Sequence, residues 1–430
     1  MSKAVVGALI ADLDTDWVPD PWGFGDLPSL VGMPLPEPSD LEPPPSLIVA
    51  MLGGRRRRVP ILDSWTRVVL HQAARPVLEH VEGMLGRDVL AYRMGQQGCI
   101  EHYRSALARR RDVEMEYAAE HAVGLAVDIA SFFPTVKLDL LDGLLGDAPG
   151  WPRQRELLAF FHESFGYILP EGYGPARALA NAALIPLDAV IHAPFTRWVD
   201  DYRIFCDSKE EASDVLGAMT DQAASMGLRL SEGKTRIVSS TEFDTSGGSV
   251  VDHTIDQLDA LRPDDGPVVG AADERSLRLT LRLAAERGDG RLLDDMLQFE
   301  PDQIPATAIP RLAWLIASTP WTDASTALIR NLCCIEDDLC SWRLARLGPA
   351  MWYSPPSEIA SLATDVMPRL AERAVLHPLL SRLVAHHSPE KLDQLRNVSA
   401  TAAWTRAFGL ASHEASSVAW DAGPPVQTYL

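Results

Sequence analysis

Two adjacent carboxylates, Asp200 and Asp201, interrupt the run Arg197-Trp198-Val199-Asp200-Asp201-Tyr202-Arg203-Ile204-Phe205. The run reads as one apolar strand, a turn and a second apolar strand. Neighbouring acids repel, and flanking Trp, Val, Ile and Phe take them partly out of water, which costs several kcal/mol unless a cation compensates. Hard carboxylate oxygens suit a divalent ion such as Mg²⁺. Read alone, the doublet also fits a hairpin tip with two solvated acids, because Asp is common in turns. A third carboxylate, Asp128, ends the apolar run Val123-Gly124-Leu125-Ala126-Val127-Asp128-Ile129. Alone it also reads as a cap for the helix that Pro134 is expected to open and that runs through Leu145.

The elements that must carry these acids follow from periodicity. Apolar spacing predicts helices over Ser64–Glu82 (with Pro76 inside), Gln97–Arg111, 152–166, the Ala-rich 176–184, and Lys209–Met226. The segment Gly227–Ile237 reads as strand-turn-strand and carries Lys234. Beyond residue 245 the pattern is helical almost throughout, over Glu274–Glu286, Arg291–Phe299, Pro310–Ala317, Asp323–Cys333, Ser357–Ala374, His377–His386 and Ala402–Ser412. Short helices separated by Pro, Gly and Thr are similar to a helical-repeat array, although no strict period is visible.

Composition sets further bounds. A chain of 430 residues, 47% hydrophobic and 23% charged, is long enough for two cores. The formal net charge of −20 argues against a general nucleic-acid coat, since phosphates need Lys and Arg. Yet Arg55–Arg58 and Arg109–Arg111 concentrate positive charge, enough for a local basic channel. The five cysteines show no paired zinc spacing and read as reduced thiols of a cytoplasmic protein. Neither a signal peptide nor a membrane-length apolar run is expected.

Taken in order, the motifs resemble those of reverse transcriptases from about residue 55 to 238. Asp128-Ile129-Ala130-Ser131-Phe132-Phe133-Pro134 is similar to that family's first palm motif, and Gly172 to Asn181, continuing to Leu187-Asp188, to its template-primer helix. Trp198-Val199-Asp200-Asp201 resembles the aromatic-x-Asp-Asp signature, and Gly227–Ile237 the following lysine motif. Trp198 stands where the family usually has Tyr, Glu171 where Gln is common and Ala176 where Ser is common. Tyr92-Arg93-Met94-Gly95 is similar to the finger motif of intron-type members.

The resemblance implies an α+β fold: a right-hand polymerase with fingers and an antiparallel palm sheet, followed by an all-α helical-repeat-like domain. The implied division is an extended Pro/Asp-rich arm over 1–46, fingers over 47–122, palm over 123–245 and a helical, HEAT-like domain over 246–430. Also implied is RNA-directed DNA synthesis from dNTPs with two Mg²⁺ ions, or Mn²⁺ as a substitute, held by Asp128, Asp200, Asp201 and the Ile129 carbonyl. Phe133 would exclude a 2′-hydroxyl; Arg55, Arg58, Arg67 and Lys234 would contact nucleotide; Gly172, Arg177 and Asn181 would meet template and primer. The combination of a short polymerase half with a helical half is most similar to bacterial abortive-infection and defence-associated reverse transcriptases. That group implies antiphage action, a protein primer (Tyr429 or Tyr353) or a partner non-coding RNA, and a homo-oligomer or partner protein. A retron-like or domesticated intron-type enzyme, and a catalytically idle palm that binds nucleic acid, are the alternatives.

Overall fold

The computed structural model describes residues 36–44, 46–50, 56–62, 64–95, 99–101, 103–243 and 274–333, with scattered positions from 335 to 355. These residues form a mixed α+β protein in two compact units: 36–43 with 65–243, and 44–64 with those from 274 onward. The expected arm lies mostly outside the described residues, and the stretch 47–122 is shared between the units.

In the unit of 44–64 and 274 onward, β1 (Ser46–Ala50) and β2 (Arg56–Pro60) pair antiparallel with Ser46 opposite Pro60. Its helices are α9 (Glu274–Arg287), α10 (Arg291–Met296), α11 (Ile309–Ser318) and α12 (Asp323–Cys333). Leu277, Leu281 and Ala285 recur at helical spacing and are buried where α9 packs on α11. Helices expected over Ser357–Ala374, His377–His386 and Ala402–Ser412 lie outside the described residues.

The other unit is built on a four-stranded antiparallel sheet. Its strands are β3 (Val123–Asp128), β4 (Phe195–Trp198), β5 (Asp201–Cys206) and β6 (Arg236–Ser239), in the order β4-β5-β3-β6. Leu125 and Val127 of β3 and Tyr202 and Ile204 of β5 are buried on one face, as period-two alternation requires. Among the described residues eight helices accompany the sheet: α1 (Ser64–Met84), α2 (Tyr103–Glu120), α3 (Phe132–Thr135), α4 (Leu138–Leu145), α5 (Trp151–Phe165), α6 (Gly174–Ala183), α7 (Ile185–Asp188) and α8 (Lys209–Ser225).

Local chemistry explains these helix boundaries. Ser208 caps α8 by accepting from the Glu211 amide at 3.1 Å. All ten residues of α6 are buried, because Gly and Ala let its neighbours approach closely. Gly150 caps α5 at a φ of 78° and lies so close to Pro76 of α1 that a Cβ would stand 2.6 Å from the proline ring. The helix expected from Pro134 to Leu145 is instead two helices, α3 and α4, parted by Val136 and Lys137 in extended backbone. Pro134 sits in the first turn of α3, where its missing N–H leaves no bond unmade. Among the described residues no helix is long and apolar enough to cross a membrane, and Cys99, Cys206 and Cys333 are free thiols.

Candidate active site

The three aspartates stand at one end of β3 and β5. The two strands pair so that Asp128 lies opposite Asp201, which puts both side chains on the same face of the sheet. Alternation along β5 adds Arg203 and Phe205 to that face. Residues 110, 114 and 117 form one stripe of α2, and the stripe follows β5 residue by residue. Arg110 donates from Nη2 to Asp201 Oδ2 at 2.9 Å, Arg203 donates from Nη1 to Glu114 Oε2 at 2.6 Å, and Tyr117 meets Phe205 edge-on with centroids 5.4 Å apart. Arg110 also donates to Glu114 Oε1 at 2.5 Å and lies 5.9 Å over the Trp198 ring. Thr196 completes the group by donating to Glu114 Oε1 at 2.7 Å. Burial disfavours charge on Arg110, but Asp201 and Glu114 outweigh that and hold its pKa above the ordinary value.

Asp128 caps no helix. Its Oδ1 accepts from Lys234 Nζ at 2.7 Å. Asp200 is no solvated hairpin tip either: burial, and then the charge of Asp128, push its carboxyl from 3.8 up to about 7. Its own backbone N–H and Lys234 pull the other way and lose. Beside them, the Ala130 amide donates to the Arg229 carbonyl at 2.8 Å and the Ser231 amide to the Asp128 carbonyl at 2.7 Å. Peptide groups alternate along extended chain, so the Ile129 carbonyl faces the opposite edge, toward β5 and its turn.

Among the described residues, no three His, Cys, Asp or Glu side chains are grouped to enclose a metal by themselves. Two of the three aspartates are instead turned onto cations of the chain, Lys234 and Arg110. Asp200 instead resists ionising, because burial and the charge of Asp128 oppose a further negative charge. With Asp128 and the Ile129 carbonyl it offers hard oxygens in the place where a divalent ion would relieve the crowding.

The turn holding Asp200 is strained. Val199 has a φ of 56°, a left-handed value that a β-branched residue rarely adopts, and Ser131 after β3 has 51°. Beneath the turn lies the wholly buried Arg197. It donates to the Val199 carbonyl at 3.1 Å, to Asn181 Oδ1 at 2.9 Å and to Asp188 Oδ2 at 2.8 Å. Tyr202 donates to the other Asp188 oxygen at 2.8 Å. Burial raises the Asp188 pKa, with Arg197 opposing.

The remaining expected residues are distributed as follows. Phe133 is buried edge-on against Phe132, with centroids 5.5 Å apart. Arg67 is buried with its guanidinium 4.9 Å over the Tyr173 ring. Gly172, at a φ of 105°, turns the chain into α6. Arg177 and Asn181 are both buried. Arg177 donates to the Tyr92 hydroxyl at 2.7 Å, and Asn181 donates to the Ala91 carbonyl at 2.8 Å while accepting from Arg197. Tyr92 in turn stands edge-on to Trp198, 6.3 Å between centroids. Arg58 is exposed on β2 in the other unit, where it donates to Ser46 Oγ at 3.4 Å. Arg55, Tyr353 and Tyr429 lie outside the described residues.

Sequence reasoning does not name Glu114, and it names Arg110, Asp188 and Arg197 only within longer runs, without the contacts they make here. The available signals were the i, i+4 spacing of Arg110 and Glu114, and an arginine inside an apolar strand. No protein-family model matches the chain, and no curated protein matches it.

Proposed function

We propose that the chain is an RNA-directed DNA polymerase of the reverse-transcriptase kind, with the four-stranded sheet as its palm and Asp128, Asp200 and Asp201 as its catalytic acids. One observation carries the reading. Carboxylates more than seventy positions apart in sequence lie opposite each other in strand register, close enough that the charge of Asp128 raises the pKa of Asp200.

Mg²⁺ ions, or Mn²⁺ in their place, would supply Lewis-acid activation of a primer 3′-hydroxyl and charge neutralisation on the leaving pyrophosphate. Asp128, Asp200 and the Ile129 carbonyl would hold them, with Asp201 alongside. The hydroxyl oxygen bonds to the α-phosphorus of a dNTP, the bond to the β-phosphate breaks, and the hydroxyl proton passes to water. The chain's own contribution is positioning and fixed charge. Lys234 stands beside Asp128 and is half-exposed, placed to move onto a phosphate. Phe133 follows Asp128 by five positions and would pack under the sugar. The helices after residue 274 are proposed as a repeat-like domain, and a short polymerase half followed by a helical half supports a role in antiphage defence with a protein primer or a non-coding RNA.

A rival reading, a nucleic-acid-binding palm without catalysis, draws on the two chain cations already seated on Asp128 and Asp201. Incorporation of labelled dNTP with Mg²⁺ separates the two. Wild type should extend a primed template, and Asp200→Ala combined with Asp201→Ala should not. Equal incorporation by both proteins removes the polymerase reading.

A further inference from the structure

Asp128 and Asp201 are each held by a cation, but the two cations differ in mobility. Lys234 is 51% exposed on a flexible stem and touches Asp128 through a single bond. Arg110 is 6% exposed, and its contacts come from three elements. Its own helix supplies Glu114 at 2.5 Å, β4 supplies the Trp198 ring, and β5 supplies Asp201 at 2.9 Å. Glu114 is in turn pinned by Thr196 of β4 and Arg203 of β5. Lys234 can leave its carboxylate when a better cation arrives; Arg110 cannot do so without unpacking α2 from the sheet.

We propose that Arg110 is a positioning residue that keeps the Asp201 carboxylate committed to the β4–β5 edge, so that of the three acids Asp128 and Asp200 alone receive the divalent cations. This assignment rests on the nucleotidyltransferase reading. Three free carboxylates at one corner would offer competing seats for an ion, and a seat shifted toward the edge moves it off the line of attack. Neutralising one acid permanently leaves the ions to Asp128 and Asp200.

The test uses the full-length chain and Mn²⁺ alone, titrated by electron paramagnetic resonance without nucleotide, alongside steady-state incorporation. In Arg110→Gln the released Asp201 becomes a third ligand. Mn²⁺ affinity should then rise by roughly tenfold while kcat falls by about 10- to 100-fold with KM for dNTP little changed. Arg110→Lys should restore part of kcat. Asp201→Asn should bind Mn²⁺ within about twofold of wild type, and adding it to Arg110→Gln should abolish the gain. An Asp201→Asn protein that folds but loses Mn²⁺ affinity by about tenfold overturns the proposal, because Asp201 is then a ligand itself. So does an Arg110→Gln protein with unaltered affinity and turnover, or a wild type that binds no Mn²⁺. If Arg110→Gln fails to fold, the Asp201→Asn titration decides alone. Mn²⁺ affinities that follow this pattern in a protein that incorporates no nucleotide would instead overturn the polymerase reading and leave Arg110 its role.

Discussion

Arg197 donates to the carbonyl of Val199, two residues further along its own chain, at 3.1 Å. The bond joins a guanidinium with no exposed surface to a residue whose φ is 56°. A left-handed valine costs on the order of 1–3 kcal/mol, and it persists only where its surroundings over-determine it. Here they do: Asn181 and Asp188 hold the guanidinium, and Tyr202 holds Asp188.

Arg197→Leu should therefore destabilise the protein strongly. It leaves Asp188 as a buried acid without its cation and releases the Val199 carbonyl, a loss of about 3–5 kcal/mol. Urea denaturation measures it as a lowered midpoint. A midpoint close to that of wild type would show that the turn is held by packing and not by this network.

Asp200 gives the metal-free protein a distinctive pH dependence. Its carboxyl is raised from 3.8 to about 7, by burial first and by Asp128 next. The folded state thus keeps a proton that the unfolded chain has already released. The stability from this group is complete below about pH 4 and is lost as pH rises through about 7, a difference on the order of 3–4 kcal/mol. With a chelator present, Asp200→Asn should match wild type below about pH 4 and melt higher at pH 8. Mg²⁺ at pH 8 should raise the melting temperature of wild type and not of the variant. Parallel melting curves at both pH values would show that Asp200 titrates as an ordinary surface acid.

Phe133→Ala should admit ribonucleotides. The ring is nearly buried against Phe132, so the truncation costs stability, about 3–5 kcal/mol. Selectivity for dNTP over rNTP should fall by about tenfold or more, read as the ratio of kcat/KM values. Phe132→Ala, which removes a comparable ring, is the control and should leave the ratio in place. Unchanged selectivity in Phe133→Ala would remove the sugar-gate role.

The sequence revealed the acidic centre more readily than the parts that support it. Asp128, Asp200 and Asp201 stand at the ends of apolar strands, where a charge is conspicuous. α12 falls on the expected span Asp323–Cys333 because its apolar face repeats cleanly. α2 does not: Gln97–Arg111 was expected, and the helix runs Tyr103–Glu120. Its stretch Ala108-Arg109-Arg110-Arg111-Asp112-Val113-Glu114 carries charge at five of seven positions, so periodicity has little to register. The three arginines look alike in sequence, yet each successive residue turns about 100° around the helix. Arg109 consequently meets Glu101 at 2.6 Å, Arg110 is buried against Asp201, and Arg111 is exposed. Pairings of that kind depend on which strand the helix lies against, and no local pattern encodes it.

The rungs between α2 and β5 alternate in sign, base on acid at Arg110 and Asp201, then acid on base at Glu114 and Arg203. Slide the helix one turn in one direction and Glu114 confronts Asp201; slide it the other way and Arg110 confronts Arg203. Both displacements set like against like, with Arg110 and Glu114 on the buried side of each clash. Helix and strand therefore favour one register, and α2 displaced by a turn meets repulsion where it now finds attraction.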